Sequence, residues 1–302
     1  MDGRSPQKFP AEGVSAIAWS GTILKPGIAA AAALSALAGM SLAARGLPDT
    51  PAGILTLFCV VFAVCGSGLL NVLLEEKTDA LMPRCAARGR ALDKLGRKNA
   101  AILAAVLISS SLAVSWLAVN RTVSLIIAAA VFLYAVFYTL YLKRNSPFGT
   151  VLGAVPGALP VLAGYASRDQ KIGPAGWILF LVMLVWQPPH FLALSLKYRD
   201  EYEAAGFPSM PVRLGERYAK ASLFMYASAL LPLTLSLAWF GYCTVWFGLA
   251  AFVAGTLFLF FIWSAVMKKR EFGRAFLISI MYIAVVLLAL VIDRKFGLNG
   301  RI

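Results

Sequence analysis

Ala52-Gly-Ile-Leu-Thr-Leu-Phe-Cys-Val-Val-Phe-Ala-Val-Cys-Gly-Ser-Gly-Leu-Leu-Asn71-Val-Leu-Leu-Glu75-Glu76-Lys77-Thr-Asp79-Ala-Leu-Met82-Pro83-Arg84-Cys-Ala-Ala-Arg88 joins a long apolar run to a sudden cluster of acids and bases. Residues 52 to 73 carry no charge, and a run of about 20 apolar residues crosses a bilayer core of about 30 Å as a helix. Past that run, Asn71, Glu75 and Asp79 recur at four-residue spacing. On a helix they share one face, drifting about 80° in total and spanning about 12 Å. That is the reach of a metal-bridged diphosphate.

Working outward, the apolar pattern repeats from end to end. The 302 residues are 60% hydrophobic and 14% charged, with a mean hydropathy of +0.77, which marks an integral membrane protein. Nine runs of spanning length are predicted, near 26–44, 52–73, 100–119, 122–142, 150–167, 174–196, 221–241, 245–266 and 274–293. The run at 150–167 is the least regular, carrying Gly153, Pro156, Gly157, Pro160 and Gly164; irregular backbone is tolerated at membrane depth where protein encloses it. The expectation is therefore an all-α membrane protein, a bundle of about nine transmembrane helices around a central cavity. One domain covers 26–293, between an N-terminal segment 1–25 and a short tail 294–302.

Charge sets the orientation, because Lys and Arg in short loops stay cytoplasmic. With the N-terminus inside, 21 of the 28 basic residues fall on the cytoplasmic side and 7 on the other, which puts the C-terminus outside. The net charge of +14 is then mainly a topology signal, and the scatter of the basic residues among helix ends excludes a nucleic-acid surface. Cys59, Cys65, Cys85 and Cys243 have no metal-ligand spacing and read as packing residues. Residues 1–20 resemble neither a signal nor a transit peptide, so the expected address is a bacterial inner membrane.

Eight of the 14 acidic residues lie in two of the cytoplasmic loops: Glu75, Glu76, Asp79 and Asp93 in one, and Asp200, Glu201, Glu203 and Glu216 in the other. Acids contribute little to topology, so the clustering needs another reason. One reading is a solvated helix end whose acids pair with Lys77, Arg84, Lys197 and Arg199. The other is a site, since Mg2+ is held by one or two carboxylates plus phosphate oxygens, and arginines such as Arg84 and Arg88 take the remaining phosphate charge. Pro83 should end the helix near Met82 and put both arginines on a turn. A transporter places its ionisable groups near mid-bilayer, whereas here they collect at the rim.

Two further patches stand out. Trp186-Gln-Pro-Pro-His190-Phe contains the chain's one histidine. Its prolines should interrupt the backbone bonding of the sixth span, leaving His190 either bonded to a freed carbonyl or serving as an iron ligand or a base. Tyr134, Tyr138 and Tyr141, followed by Lys143 and Arg144, form either an interfacial aromatic belt or a phosphate-binding end with a tyrosine face for a developing cation.

These residues resemble the UbiA-type intramembrane prenyltransferases and, among them, the haem-farnesylating branch. The resemblance is carried by Lys25-Pro26, the Asn71/Glu75/Asp79/Met82/Arg84/Arg88 pattern, Tyr138-Thr139 with Leu142-Lys143-Arg144, Gly157-Ala-Leu-Pro160, Trp186-Gln187 with Pro189-His190-Phe191, and Lys197-Tyr198, Asp200, Tyr202, Gly206 and Pro208 to Pro211. It implies transfer of farnesyl from farnesyl diphosphate to a vinyl group of haem b, with water adding. It implies that Asn71, Glu75 and Asp79 hold Mg2+, that Asp200 and Glu201 complete the acidic site, and that Arg84, Arg88, Lys143 and Arg144 hold the diphosphate. His190, Trp186 and Tyr138 would line the haem or prenyl cavity. An onward haem A synthase or terminal oxidase is implied as a partner. Glu75 departs from the aspartate usual at its position and leaves open whether it or Glu76 reaches the metal. A quinone-precursor prenyltransferase and a transporter of haem or a phosphorylated lipid are the competing readings.

Overall fold

The structure, a computed structural model, describes residues 21–44, 50–268 and 271–296. Most of the N-terminal segment 1–25 and all but three residues of the tail 294–302 lie outside the described residues. Nine helices long and apolar enough to span a membrane are found among those described. They are α1 (Pro26–Ala44), α2 (Pro51–Asp79), α3 (Arg97–Val119), α4 (Arg121–Asn145), α5 (Gly149–Ala166), α6 (Pro174–Lys197), α7 (Glu216–Trp239), α8 (Val245–Met267) and α9 (Phe272–Phe296). Consecutive helices pack side by side and α9 returns to α1, so the bundle closes on itself, with α1 also crossing α5 and α6.

The α1–α5 crossing explains why α5 tolerates its glycines and prolines. A Cβ on Gly39 would overlap the Val161 carbonyl, and one on Gly164 would overlap the Ala36 carbonyl. Only glycine lets the two backbones approach this closely. The span with the least regular sequence is also the most enclosed, with 61% of its apolar window buried.

Helix α2 sets the site. Thr50 caps it by accepting from the Gly53 N–H, and Pro51 begins it, both standard start signals. Its 29 residues make about 44 Å of helix, longer than a bilayer core, so its last turns extend beyond the apolar slab. The helix ends at Asp79, three residues before the predicted Met82. Met82 is extended, with φ −112° and ψ 110°, the conformation that a following proline favours. Arg84 does lie on the tight turn Pro83–Cys85, whereas Arg88 belongs to a separate helix, Ala86–Leu95.

Two other helices depart from expectation. Helix α6 runs unbroken through Pro188 and Pro189, and the neighbouring Gln187 amide donates to the carbonyls of Ala154 (2.7 Å) and Met183 (3.4 Å). In α4, residues Leu133–Leu142 form a π-helix, and Thr139 Oγ1 donates to the carbonyl of Tyr134, five residues earlier. Wide turns of this kind recur at functional sites because they re-aim side chains.

Candidate functional site

At the pole where α2 ends, Asn71, Glu75 and Asp79 are all buried, with 4%, 1% and 5% of their surface exposed. A buried carboxylate persists as a charge only with a partner, and each rung of this ladder has one from a different element. Lys25 Nζ donates to Asn71 Oδ1 at 2.7 Å. Lys143 Nζ, from the end of α4, lies 2.7 Å from both Glu75 oxygens. Arg88 Nη1 lies 3.4 Å from Asp79 Oδ2. Asn71 also donates to Thr139 Oγ1 at 3.2 Å, so the π-helical segment of α4 holds the top of the ladder.

Helix geometry sends Glu75 and Glu76 to different partners. Glu76, one residue on, points outward to pair with Arg97 at 2.6 Å. Arg144 shares that outer face: its guanidinium donates to the Leu74 carbonyl at 2.9 Å, and with Glu76 and Arg97 it lines a surface groove. Of the four cations expected at the diphosphate, the structure brings Lys143 and Arg88 to the ladder and leaves Arg144 outside.

Lys25 was noted in the sequence only as part of a motif. It heads α1 with φ +53°, a left-handed conformation for a non-glycine residue, which costs of order 1 kcal/mol and persists where surrounding structure enforces it. Its stem lies over Gly68, where a Cβ would sit 3.3 Å from Lys25 Cδ. Burial, and after it the Arg88 charge, holds the Lys25 ammonium down to about 8, against the pull of Glu75 and Asp79. The Lys-Pro pair is visible in the sequence, but its positive φ is not.

The second acidic loop divides. Glu201 Oε2 lies 3.4 Å from Arg84 Nε, and Arg84 also sits over the rings of Tyr198 and Tyr202, 4.8 Å from each centroid. Both atoms of the ion pair are sealed from solvent and neither completes a hydrogen bond, so each has bonding capacity left for a ligand. Asp200 is exposed and is not brought to the ladder by any contact among the described residues. The same loop packs Phe207 against Met82 and Cys85, and the Phe207 ring lies 4.6 Å from Lys143 Nζ. It therefore roofs the ladder.

Tyr134 and Tyr138 stack at 5.9 Å, and Tyr138 lies against Gly153, where a Cβ would overlap its ring. Tyr141 is exposed, as an interfacial residue would be. His190 is not bonded to a freed carbonyl: Nδ1 lies 2.7 Å from Ser279 Oγ on α9. Its ring stacks with Trp186 (4.8 Å) and Phe276 (4.4 Å), and Trp186 Nε1 donates to the Ser279 carbonyl at 2.7 Å. Ser279 and Phe276 went unnoticed in the sequence because nothing in α9 besides hydropathy distinguishes them.

A metal at this site must fit the donors present. Among the described residues no three His, Cys, Asp or Glu side chains converge as a closed metal centre. What exists is an open set of oxygens only, two buried carboxylates and an amide on one helix face, backed by cations. That is the donor chemistry of Mg2+, which relies on substrate phosphates to complete its coordination.

Comparison with known proteins then places the chain. The profile of the UbiA prenyltransferase family matches residues 32–286. Protoheme IX farnesyltransferase of Geotalea uraniireducens is 41% identical over 254 residues, covering 84% of this chain and 98% of the relative. The protein of the same name from Aquifex aeolicus is 33% identical over 276 residues, covering 90% and 93%. Among solved structures, a digeranylgeranylglyceryl phosphate synthase superposes with a TM-score of 0.75 at 16% identity, over 92% of this chain and 98% of that one. A UbiA homolog from Archaeoglobus fulgidus bound to GPP and Mg2+ superposes with a TM-score of 0.67 at 14% identity, over 90% and 99%. At those identities the structural likeness concerns the fold.

Proposed function

The chain belongs to the UbiA prenyltransferase family, and from that premise we propose that it transfers a farnesyl group from farnesyl diphosphate to a vinyl group of haem b. The single observation that carries the chemistry is the ladder of Asn71, Glu75 and Asp79, each buried and each paired with its own cation. The acceptor is supported by the name of the relatives that match over most of this chain. We further propose a multi-pass protein of a bacterial inner membrane with the charged pole in the cytoplasm, following the 21-to-7 split of basic residues. The product would pass to a haem A synthase or a terminal oxidase.

Held by Asn71, Glu75 and Asp79, as Mg2+ is held alongside GPP in a protein of the same fold, Mg2+ would supply the Lewis-acid charge that neutralises the departing diphosphate. The protein's own part begins with its three cations. Lys25, Lys143 and Arg88 pair with Asn71, Glu75 and Asp79, and on substrate binding they turn to phosphate oxygens. Arg84, whose Nε still has a bond to make, closes on the diphosphate from the roof. The allylic C–O bond then breaks, with its electrons going to diphosphate. Tyr134 and Tyr138 offer their ring faces to the cation left behind. The terminal vinyl carbon bonds to farnesyl C1, water adds its hydroxyl to the neighbouring carbon, and its proton leaves to solvent. The apolar bundle and the Phe207 roof exclude water until the carbon–carbon bond exists.

Incubating the purified protein with farnesyl diphosphate, haem b and Mg2+ and weighing the haem tests this. A gain of one farnesyl and one hydroxyl is expected. Unchanged haem that remains bound would point to a carrier instead.

A further inference from the structure

Ser279 is fully buried on α9, and its Oγ has two close polar neighbours. The Phe276 carbonyl oxygen is 2.6 Å away and His190 Nδ1 is 2.7 Å away. A hydroxyl has one proton to give. The carbonyl can only accept, so if the proton went to His190 instead, two lone-pair-bearing oxygens would face each other at 2.6 Å with nothing between them. The proton therefore belongs to the Phe276 carbonyl, and the contact with His190 is an Nδ1–H donating to Ser279 Oγ. We infer that Ser279 is a positioning residue that fixes His190 in the Nδ1–H tautomer and leaves the Nε2 lone pair free.

The surroundings agree. Nε2 makes no hydrogen bond among the described residues, and it is not one of the polar atoms sealed without a partner. Trp186 and Phe276 stack on the ring and Phe191 meets it edge-on at 5.3 Å, which prevents the imidazole from swivelling. Trp186 is tied by its indole N–H to the carbonyl of the same serine. One residue of α9 thus holds both aromatic groups of the α6 motif. Free histidine in water prefers its proton on Nε2, so this assignment is a state that the protein imposes. On the haem reading above, on which this clause rests, Nε2 is the atom that ligates the iron of the acceptor.

The chain has one histidine, so protein carrying isotopically labelled histidine, purified through a histidine-free tag and placed in bilayers without haem, gives one imidazole to nitrogen NMR. The expected spectrum has Nδ1 protonated and Nε2 bare. Ser279→Ala should shift the population toward Nε2–H, while Ser279→Thr, which keeps the hydroxyl, should hold the wild-type pattern. A wild-type ring protonated on Nε2 or on both nitrogens, or a Ser279→Ala spectrum identical to wild type, overturns the assignment. No substrate is present, so this outcome is independent of farnesyl transfer. Optical titration with ferric haem tests the ligation clause: Ser279→Ala should weaken binding about 10-fold, with Ser279→Thr near wild type. Unchanged affinity and unchanged iron spectrum in Ser279→Ala would overturn that clause.

Discussion

On α2, Glu75 and Asp79 are almost fully buried and each meets a cation from another element, Lys143 in one case and Arg88 in the other. In the loop that follows α6, Asp200 and Glu203 are exposed, and so is Glu216 at the start of α7; where such acids pair, they pair one helical turn away, as Arg199 with Glu203 and Lys220 with Glu216. An exposed pair of that kind contributes between about 0 and 1 kcal/mol and is screened by salt. A buried pair is different: desolvating two charges opposes folding, and removing one partner strands the other, at about 3 to 5 kcal/mol. Folding alone gives little reason to keep the first arrangement when apolar side chains would pack as well. Its placement on a single helix face is why we propose it as the site of chemistry.

The sharpest way to break this contrast is Asp79→Ala. It removes a buried oxygen donor from the last rung of the ladder, and the expected loss in the rate of haem farnesylation is about 100- to 1000-fold. The variant should still fold, because Arg88 is partly exposed and can turn to water. Rates measured on purified protein check this; turnover at the wild-type rate would dissolve the site assignment. Glu75→Gln should inactivate to a similar degree and also destabilise by about 3 kcal/mol, since Lys143 loses its only carboxylate partner among the described residues, at 2.7 Å. Adding Lys143→Met should restore most of the melting temperature and none of the activity. If stability and activity returned together, the pair would be structural.

The outline of this division was legible in the sequence. Four-residue spacing puts Asn71, Glu75 and Asp79 on one face whatever the tertiary structure, and hydropathy gives nine spans because lipid permits few alternatives to a helix. Rank within the acid clusters was not legible. Glu75 and Glu76 differ by one position, about 100° of helix rotation, and only the packing of α4 against α2 shows which of them faces inward. Arg144 follows Lys143 directly and ends on the opposite side for the same reason. Lys25 and Ser279 depend on contacts across 46 and 89 residues of chain, which no local pattern encodes. Pro188 and Pro189 announced a break that α6 does not show.

Arg84 and Glu201 form the one ion pair between the two acidic groups among the described residues, and they sharpen the contrast at intermediate size. Arg84→Ala should raise the KM for farnesyl diphosphate about 10-fold, roughly the 1.5 kcal/mol of a charge-assisted hydrogen bond. Arg84→Lys should recover little of it, because an ammonium does not reproduce the planar group held over Tyr198 and Tyr202. Steady-state kinetics with saturating haem checks this, and an unchanged KM would remove Arg84 from the diphosphate site.

The smallest effect separates sequence proximity from site membership. Asp200 is adjacent to Glu201, yet Glu201 turns inward to Arg84 and Asp200 stays in solvent. Consecutive residues on a helix point about 100° apart, so the short helix Arg199–Ala204 can present only one of the two to the roof. Asp200→Asn should leave turnover, KM and Mg2+ dependence within about twofold of wild type, as expected for an exposed acid with no partner to strand. Glu201→Gln should change the Mg2+ or diphosphate dependence measurably. If Asp200→Asn instead raised the Mg2+ requirement tenfold while Glu201→Gln did not, the loop would have to rearrange when substrate binds, and burial in this structure would no longer separate the two acids.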